Sequence, residues 1–340
     1  MGAVLFGQGR LRRLLLGAFA VGVVAFLIAP LSSTEQAQSL GVPLLTDRLW
    51  FAVARYVAMF VVMASAWNII GGLTGYAAFG NVAFFGLGAY TTALLIDKAH
   101  LPFAVALLFS PLVPAIFAVA IGLPLLRLRG HYFAVATLGV SVAVGEVINN
   151  IDYFGGSTGI FVPIIRSDLL FFYLMAAVAL ASVGITWLIM RSRFGYGLIA
   201  IRENEEAASV MGVNTTLYKV AAFTLAAALT GLVGGIYAQS NVYIHQENVF
   251  PISYNVQMIM MAVVGGAGTL FGPVAGAIGL GLLIQSLAGG GDLAVLSQVI
   301  LGLLLAVTVI FIPRGVVDFF GGQTRLSLRY FRRTLRETSV

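Results

Sequence analysis

Apolar residues in this chain fall into about ten blocks, most of them near 20 residues long, separated by short polar or glycine-rich joints. A helix of about 20 apolar residues crosses the roughly 30 Å of hydrocarbon in a bilayer. The blocks therefore specify an all-α polytopic membrane protein with about ten transmembrane helices. Composition agrees, because only 9% of the 340 residues are charged, against about 25% in soluble domains. The net charge of +6 alone would suit a nucleic-acid partner, but the basic residues lie between and after the blocks, where they decide orientation. No nucleic acid is expected.

The first block, residues 14–29, follows Arg10, Arg12 and Arg13. A basic start and an apolar core resemble a signal peptide, yet no small-x-small cleavage site follows, so the block is read as a retained first span. The second block covers residues 50–70. A glycine-rich stretch, 71–90, leads into a third that ends near Asp97. The fourth, 102–126, contains Pro111 and Pro114. The fifth covers 131–151, and a polar turn at 155–159 separates it from the sixth, 169–190. The seventh (219–240) and the eighth (253–264) follow. A second glycine-rich stretch runs into the ninth, which ends near Leu287, and the tenth covers 293–312. Residues 1–320 are read as one transmembrane domain with a polar loop at 191–219, and residues 321–340 as a basic tail.

With the N-terminus inside and ten alternating spans, 15 of the 19 basic residues fall on the inner side. The positive-inside rule then places both termini in the cytoplasm. Arg55 at the outer edge is read as a snorkelling side chain.

Several chemistries are excluded. The chain has no cysteine, and its three histidines are far apart, so no metal site is expected. No G-x-x-x-x-G-K-[ST] occurs, and the only two lysines are Lys98 and Lys219, so the chain has no P-loop for ATP. It is read as a non-enzyme without a cofactor of its own.

The loop at 191–219 is the most informative segment. Residues 206–211 suit a short helix ended by Gly212, since glycine accepts the left-handed turn at a helix end. Such a helix fits a groove on a partner, and the alternative is a solvated linker. Glu206-Ala207-Ala208 followed by Gly212 resembles the E-A-A-x-x-x-G loop of ABC-importer permeases. The wider wording, including Arg202-Glu203 and Met211-Gly212-Val213-Asn214, resembles the branched-chain amino acid permease family, specifically its M-type membrane subunit. Segments 126–134, 155–160, 265–273 and 312–315 agree. The family often has Ser-Leu-Gly-His where this chain has Ala78-Phe79-Gly80-Asn81.

The resemblance implies a type II ABC-importer-like permease in a bacterial or archaeal inner membrane. The implied partners are a second homologous permease, two P-loop ATPase subunits that hold ATP and Mg, and an extracytoplasmic solute-binding protein. The implied solute is leucine, isoleucine or valine, or a related small polar molecule such as urea or a short amide. Arg202, Glu203, Glu206, Ala207, Ala208 and Gly212 would form the ATPase-coupling loop. The rival reading is a self-contained channel or ion-coupled transporter, with Glu146 as its one intramembrane carboxylate.

Candidates for the translocation path are Tyr76, Asn81, Glu146, Gly268, Gly272 and Pro273. Gly268, Gly272 and Gly276 recur every fourth residue, as on one face of a helix, and Pro273 removes a backbone donor among them. A broken or re-entrant helix lining a path and plain close packing both fit this pattern. Glu146 is read as a gate, as a partner of Arg55, or as an ordinary helix-end carboxylate. In the tail, Arg325, Arg329, Arg332 and Arg336 form a basic stripe beside Leu328, Phe331 and Leu335. That pattern suits an amphipathic helix on anionic membrane lipid or a topological anchor.

Overall fold

The structure, a computed structural model, describes residues 48–288. The first and tenth blocks and the basic tail lie outside the described residues. The other eight blocks are helical. Helix α1 (Arg48–Trp67) closes in a π turn, Asn68–Gly72. Helix α2 is Val82–Asp97. Helices α3 (Phe103–Phe109) and α4 (Leu112–Leu125) form one span bent at Ser110-Pro111, where proline interrupts the backbone ladder. Helices α5 (His131–Asn150) and α6 (Asp168–Arg191) follow. Two short helices, α7 (Arg193–Glu203) and α8 (Glu205–Val210), precede the long α9 (Thr215–Asn241). A single turn, α10 (Gln246–Val249), leads into α11 (Ile252–Gly266), and α12 (Gly272–Ala288) completes the described chain.

Six segments among the described residues are long and apolar enough to cross a membrane, while α2 and α12 are shorter apolar helices. The expectation of ten spans thus becomes, over residues 48–288, six full spans and two shorter helices. Helix α1 occupies the centre, packed by α6, α9, α11 and α12. Helices α4 and α5 turn apolar side chains outward, including Leu112, Ile116, Val135 and Val147.

Burial of apolar groups drives little association within lipid, so close backbone approach through small residues decides packing. Helices α2 and α9 form the most extensive pair. A Cβ on Gly88 of α2 would lie 2.0 Å from the Gly231 carbonyl oxygen of α9, and one on Gly234 would lie 2.0 Å from the Phe85 carbonyl. Helices α11 and α12 form a hairpin of the same kind. A Cβ on Gly276 would lie 1.8 Å from the Met261 carbonyl, and one on Gly272 would lie 2.1 Å from that of Gly266.

This hairpin corrects the expectation of a three-glycine helix face. Gly268 sits in the break between α11 and α12 at φ +80°, so only Gly272 and Gly276 share a helix. Pro273 is the second residue of α12, where its missing N–H would have had no helical partner. The break therefore precedes Pro273 and is not caused by it.

The first glycine-rich stretch is interrupted between its helical ends, over residues 75–81. Phe60 lies halfway along the 25 residues from Arg48 to Gly72, and its ring meets Tyr254 of α11 at 5.5 Å. Tyr254 also meets Phe85 of α2 at 6.0 Å. Helix α2 therefore starts near the bilayer midplane, and residues 73–81 climb to it from one face. Two of their backbone groups bond side chains of neighbouring helices, as a dry interior favours. Trp67 Nε1 donates to the Ala78 carbonyl at 2.8 Å, and the Phe79 N–H donates to Thr137 Oγ1 at 3.0 Å.

On the opposite face, a two-residue antiparallel pair joins Ile160–Phe161 to Tyr243–Ile244. Arg55 pairs there with Asp168 at 2.9 Å, not with Glu146. Their ion pair borders a cavity of about 860 Å³, also lined by Arg166 and Phe171.

Candidate functional site

The segment between α6 and α9 is a chain of capped turns. Ser192 Oγ accepts from the Gly195 N–H and starts α7, and Asn204 Oδ1 accepts from the Ala207 N–H and starts α8. Asn214 Oδ1 accepts from Leu217 and starts α9. Asparagine and serine suit this position because their short side chains reach the free amides of the first turn. The far end of α8 closes as a Schellman motif: the Val213 N–H donates to the Ala208 carbonyl and the Gly212 N–H to that of Ser209, each at 3.0 Å. Gly212 adopts φ +89°, the left-handed conformation this motif requires. Six residues are too few to hold a helix alone. Caps at both ends, with Glu205 and Glu206 in the first turn beside the positive pole of the helix dipole, make the short element viable.

Helix α8 is exposed outward and rooted inward. Val210 and Met211 are 87% and 84% exposed, two apolar side chains standing free beside a polar helix. The root is Glu205. Its carboxylate accepts from Lys219 Nζ at 2.6 Å and from the Tyr76 hydroxyl at 2.5 Å. Lys219 is buried and also donates to the Leu126 carbonyl at 2.9 Å and to the Tyr76 hydroxyl at 3.0 Å. Burial alone would push the Glu205 carboxyl up. Hydrogen bonds from Lys219 and Tyr76, with the charges of Lys219 and Arg129, outweigh that and hold it below the usual carboxylate value. The Tyr76 hydroxyl donates to Glu205 and accepts from Lys219, so it joins the two. At the rim, Arg129 pairs with Glu206 at 2.9 Å. This knot ties α8 to the ends of α4 and α9 and to the membrane-entering segment 73–81.

A second set of bonds ties the two helix breaks together. Asn68 Nδ2 donates to the Thr269 carbonyl at 2.9 Å, and the Gly268 N–H donates to Asn68 Oδ1 at 2.6 Å. Arg202 Nη1 donates to the Gly72 carbonyl at 3.0 Å, and Nη2 pairs with the exposed Glu203. A Cβ on Gly268 would lie 2.6 Å from that Nη1, so the break is shaped around the guanidinium.

The residues expected from sequence are thus distributed unevenly. Arg202, Glu203, Glu206, Ala207, Ala208 and Gly212 do form one region; Ala208 is buried and Ala207 exposed. Tyr76 joins that region at its root. Asn81 is buried at the start of α2. Gly268 belongs to the hinge around Arg202, whereas Gly272 and Pro273 belong to the α11–α12 contact. Glu146 stands on the exposed side of α5 and makes no ion pair among the described residues. The reading from sequence missed Glu205, Lys219, Asn68 and Asn204. Asn204 directly before Glu205-Glu206 was a cap signal. Likewise, Asn214 starts α9 a turn earlier than expected, which moves Lys219 from a span edge to the interior.

Comparison with known proteins gives a consistent result. The family model for the branched-chain amino acid transport system, permease component, matches residues 49–309. The high-affinity branched-chain amino acid transport system permease protein LivM of Salmonella typhimurium is 28% identical over 316 residues, covering 84% of this chain and 73% of the relative. The protein of the same description in Escherichia coli matches with the same identity and coverage. The galactose/methyl galactoside import permease MglC of Salmonella typhimurium is 28% identical over 202 residues, covering 54% of this chain and 58% of the relative. No solved structure matches significantly.

Proposed function

The chain belongs to the permease-component family of branched-chain amino acid transport systems, and from that premise we propose that it carries leucine, isoleucine, valine or a related small polar solute inward, with ATP hydrolysed on separate P-loop subunits. It works beside a second related permease and takes its solute from an extracytoplasmic binding protein. The face bearing Arg127, Arg129, Arg191, Arg193, Arg202 and Lys219 is cytoplasmic, and so are both termini. Residues 1–320 form one permease domain of type II architecture, of which the structure describes residues 48–288. The chain holds no cofactor; ATP and Mg belong to the ATPase.

The observation that carries this reading is α8. An exposed helix with two free apolar side chains is what a groove on a partner would take. A self-contained channel has no use for it. The Glu205–Lys219 pair and the Tyr76 hydroxyl connect that helix to segment 73–81, so a push on α8 reaches the membrane interior.

Gentle affinity purification of the tagged chain from its native membrane tests this reading. Stoichiometric recovery of a P-loop ATPase and a second permease supports it. A homogeneous complex of this chain alone, moving solute without ATP, overturns it.

A further inference from the structure

Asparagine at the start of a helix ordinarily caps it. Asn81 stands at the start of α2 and does not: its backbone is helical (φ −63°, ψ −23°) and its side chain bonds no helix amide. Asn255, from α11, supplies the cap instead, its Oδ1 accepting from the Val82 N–H at 3.0 Å. Asn81 is thereby released from its local role while wholly buried. Neither its Oδ1 nor its Nδ2 has a hydrogen-bond partner, and Asn255 Nδ2 has none. Of the seven such buried side-chain atoms found among the described residues, three meet at this one junction. Buried amides without partners are costly, and an apolar residue of the same size would remove the cost. A cost kept at the start of α2 points to groups needed in another state of the protein.

The junction is also connected to α8. It ends segment 73–81, whose other end holds Tyr76 in the Glu205–Lys219 knot. Between them the segment is held by two side-chain bonds, from Trp67 and to Thr137. Gly80 lies so close to α5 that a Cβ would meet the Thr137 carbonyl at 2.1 Å. A displacement of α8 therefore has a short, non-helical lever to Asn81.

We propose that Asn81 and Asn255 are polar groups withheld in this structure and used in the transport step. When the lever moves, two donors and one acceptor open toward the path and hydrogen-bond the passing polar solute. The inference rests on the permease reading and adds the residues that receive the solute at the midplane.

The test is Asn81→Leu in the purified, reconstituted complex, with binding-protein-dependent uptake and thermal unfolding measured on the same preparation. The expected result is a melting temperature raised by about 2 °C or more together with uptake slowed about tenfold or more. A merely structural Asn81 would move both downward together. Uptake at the wild-type rate or above overturns the inference, as does a complex that loses stability or fails to assemble. Absence of ATP-driven uptake by the wild-type complex would instead count against the permease reading itself.

Discussion

Lys219 decides whether the inner root of α8 is structural or incidental. Its side chain is 5% exposed and that of Glu205 is 18% exposed. Removing the Glu205 carboxylate leaves the buried Lys219 charge without its counter-ion, at a cost of about 3 kcal/mol, whereas Glu205 without Lys219 keeps Tyr76 and Arg129. Glu205→Gln should therefore lower stability by about that amount, while Glu205→Gln with Lys219→Met should recover a large part of it. Thermal unfolding of the four proteins in the cycle measures this, and additive losses would show that the contact contributes nothing. The same pair predicts a pH dependence. The Glu205 carboxyl is held below its unfolded value, so its contribution is complete above that value and is lost as pH falls through the folded one. The stability gap between wild type and Glu205→Gln should stay flat from neutral pH down to about 5, then close in stronger acid. A gap that closes between pH 8 and 6 would contradict the assignment. None of this was readable from the chain, because the spacing of residues 76, 205 and 219 says nothing about their meeting. The one legible sign was that Lys219 is one of only two lysines in a chain that otherwise uses arginine.

Helix α8 shows what sequence can specify at the level of one element. Its first-turn acids and the glycine at its end are local signals, and the structure places a helix and a left-handed Gly212 where they indicate. The helix ahead of it, α7, was not legible: its residues look like loop until Ser192 caps them and Gly195, where a Cβ would fall 2.1 Å from the Ile189 carbonyl, lets them pack. The glycine spacing of 268, 272 and 276 misled for the same reason. Periodicity cannot tell a helix face from a hinge followed by a helix. A Cβ on Gly212 would meet nothing within 4 Å, so substitution there costs backbone strain alone, about 1–2 kcal/mol. Gly212→Arg should therefore insert into the membrane at normal levels yet abolish uptake by displacing the docking surface. Normal uptake by this variant would sink the docking assignment. Gly276→Ala offers the contrast, because its Cβ would fall on the Met261 carbonyl; membrane levels of the protein itself should drop.

At the scale of the whole molecule, block lengths and charge placement made the fold legible as a polytopic helical protein, and the described helices alternate as the blocks imply. Sequence could not show where α2 begins, since the climb of residues 73–81 to the midplane depends on partners in α1 and α5. The chain has no cysteine, so single cysteines can report orientation without background. A membrane-impermeant maleimide should label Phe161→Cys from outside intact spheroplasts and Met211→Cys only in inverted vesicles. The reverse pattern would invert the topology.

The coupling of ATP hydrolysis to the membrane turns on what Met211 touches in the working complex. A photo-crosslinker placed at Met211 in native membranes tests that contact directly. It should yield one dominant product joining this chain to a P-loop ATPase, and that product should be lost in the Gly212→Arg background. Crosslinks only to lipid or to another copy of this chain would contradict the claim that α8 is the point at which ATP hydrolysis reaches the membrane.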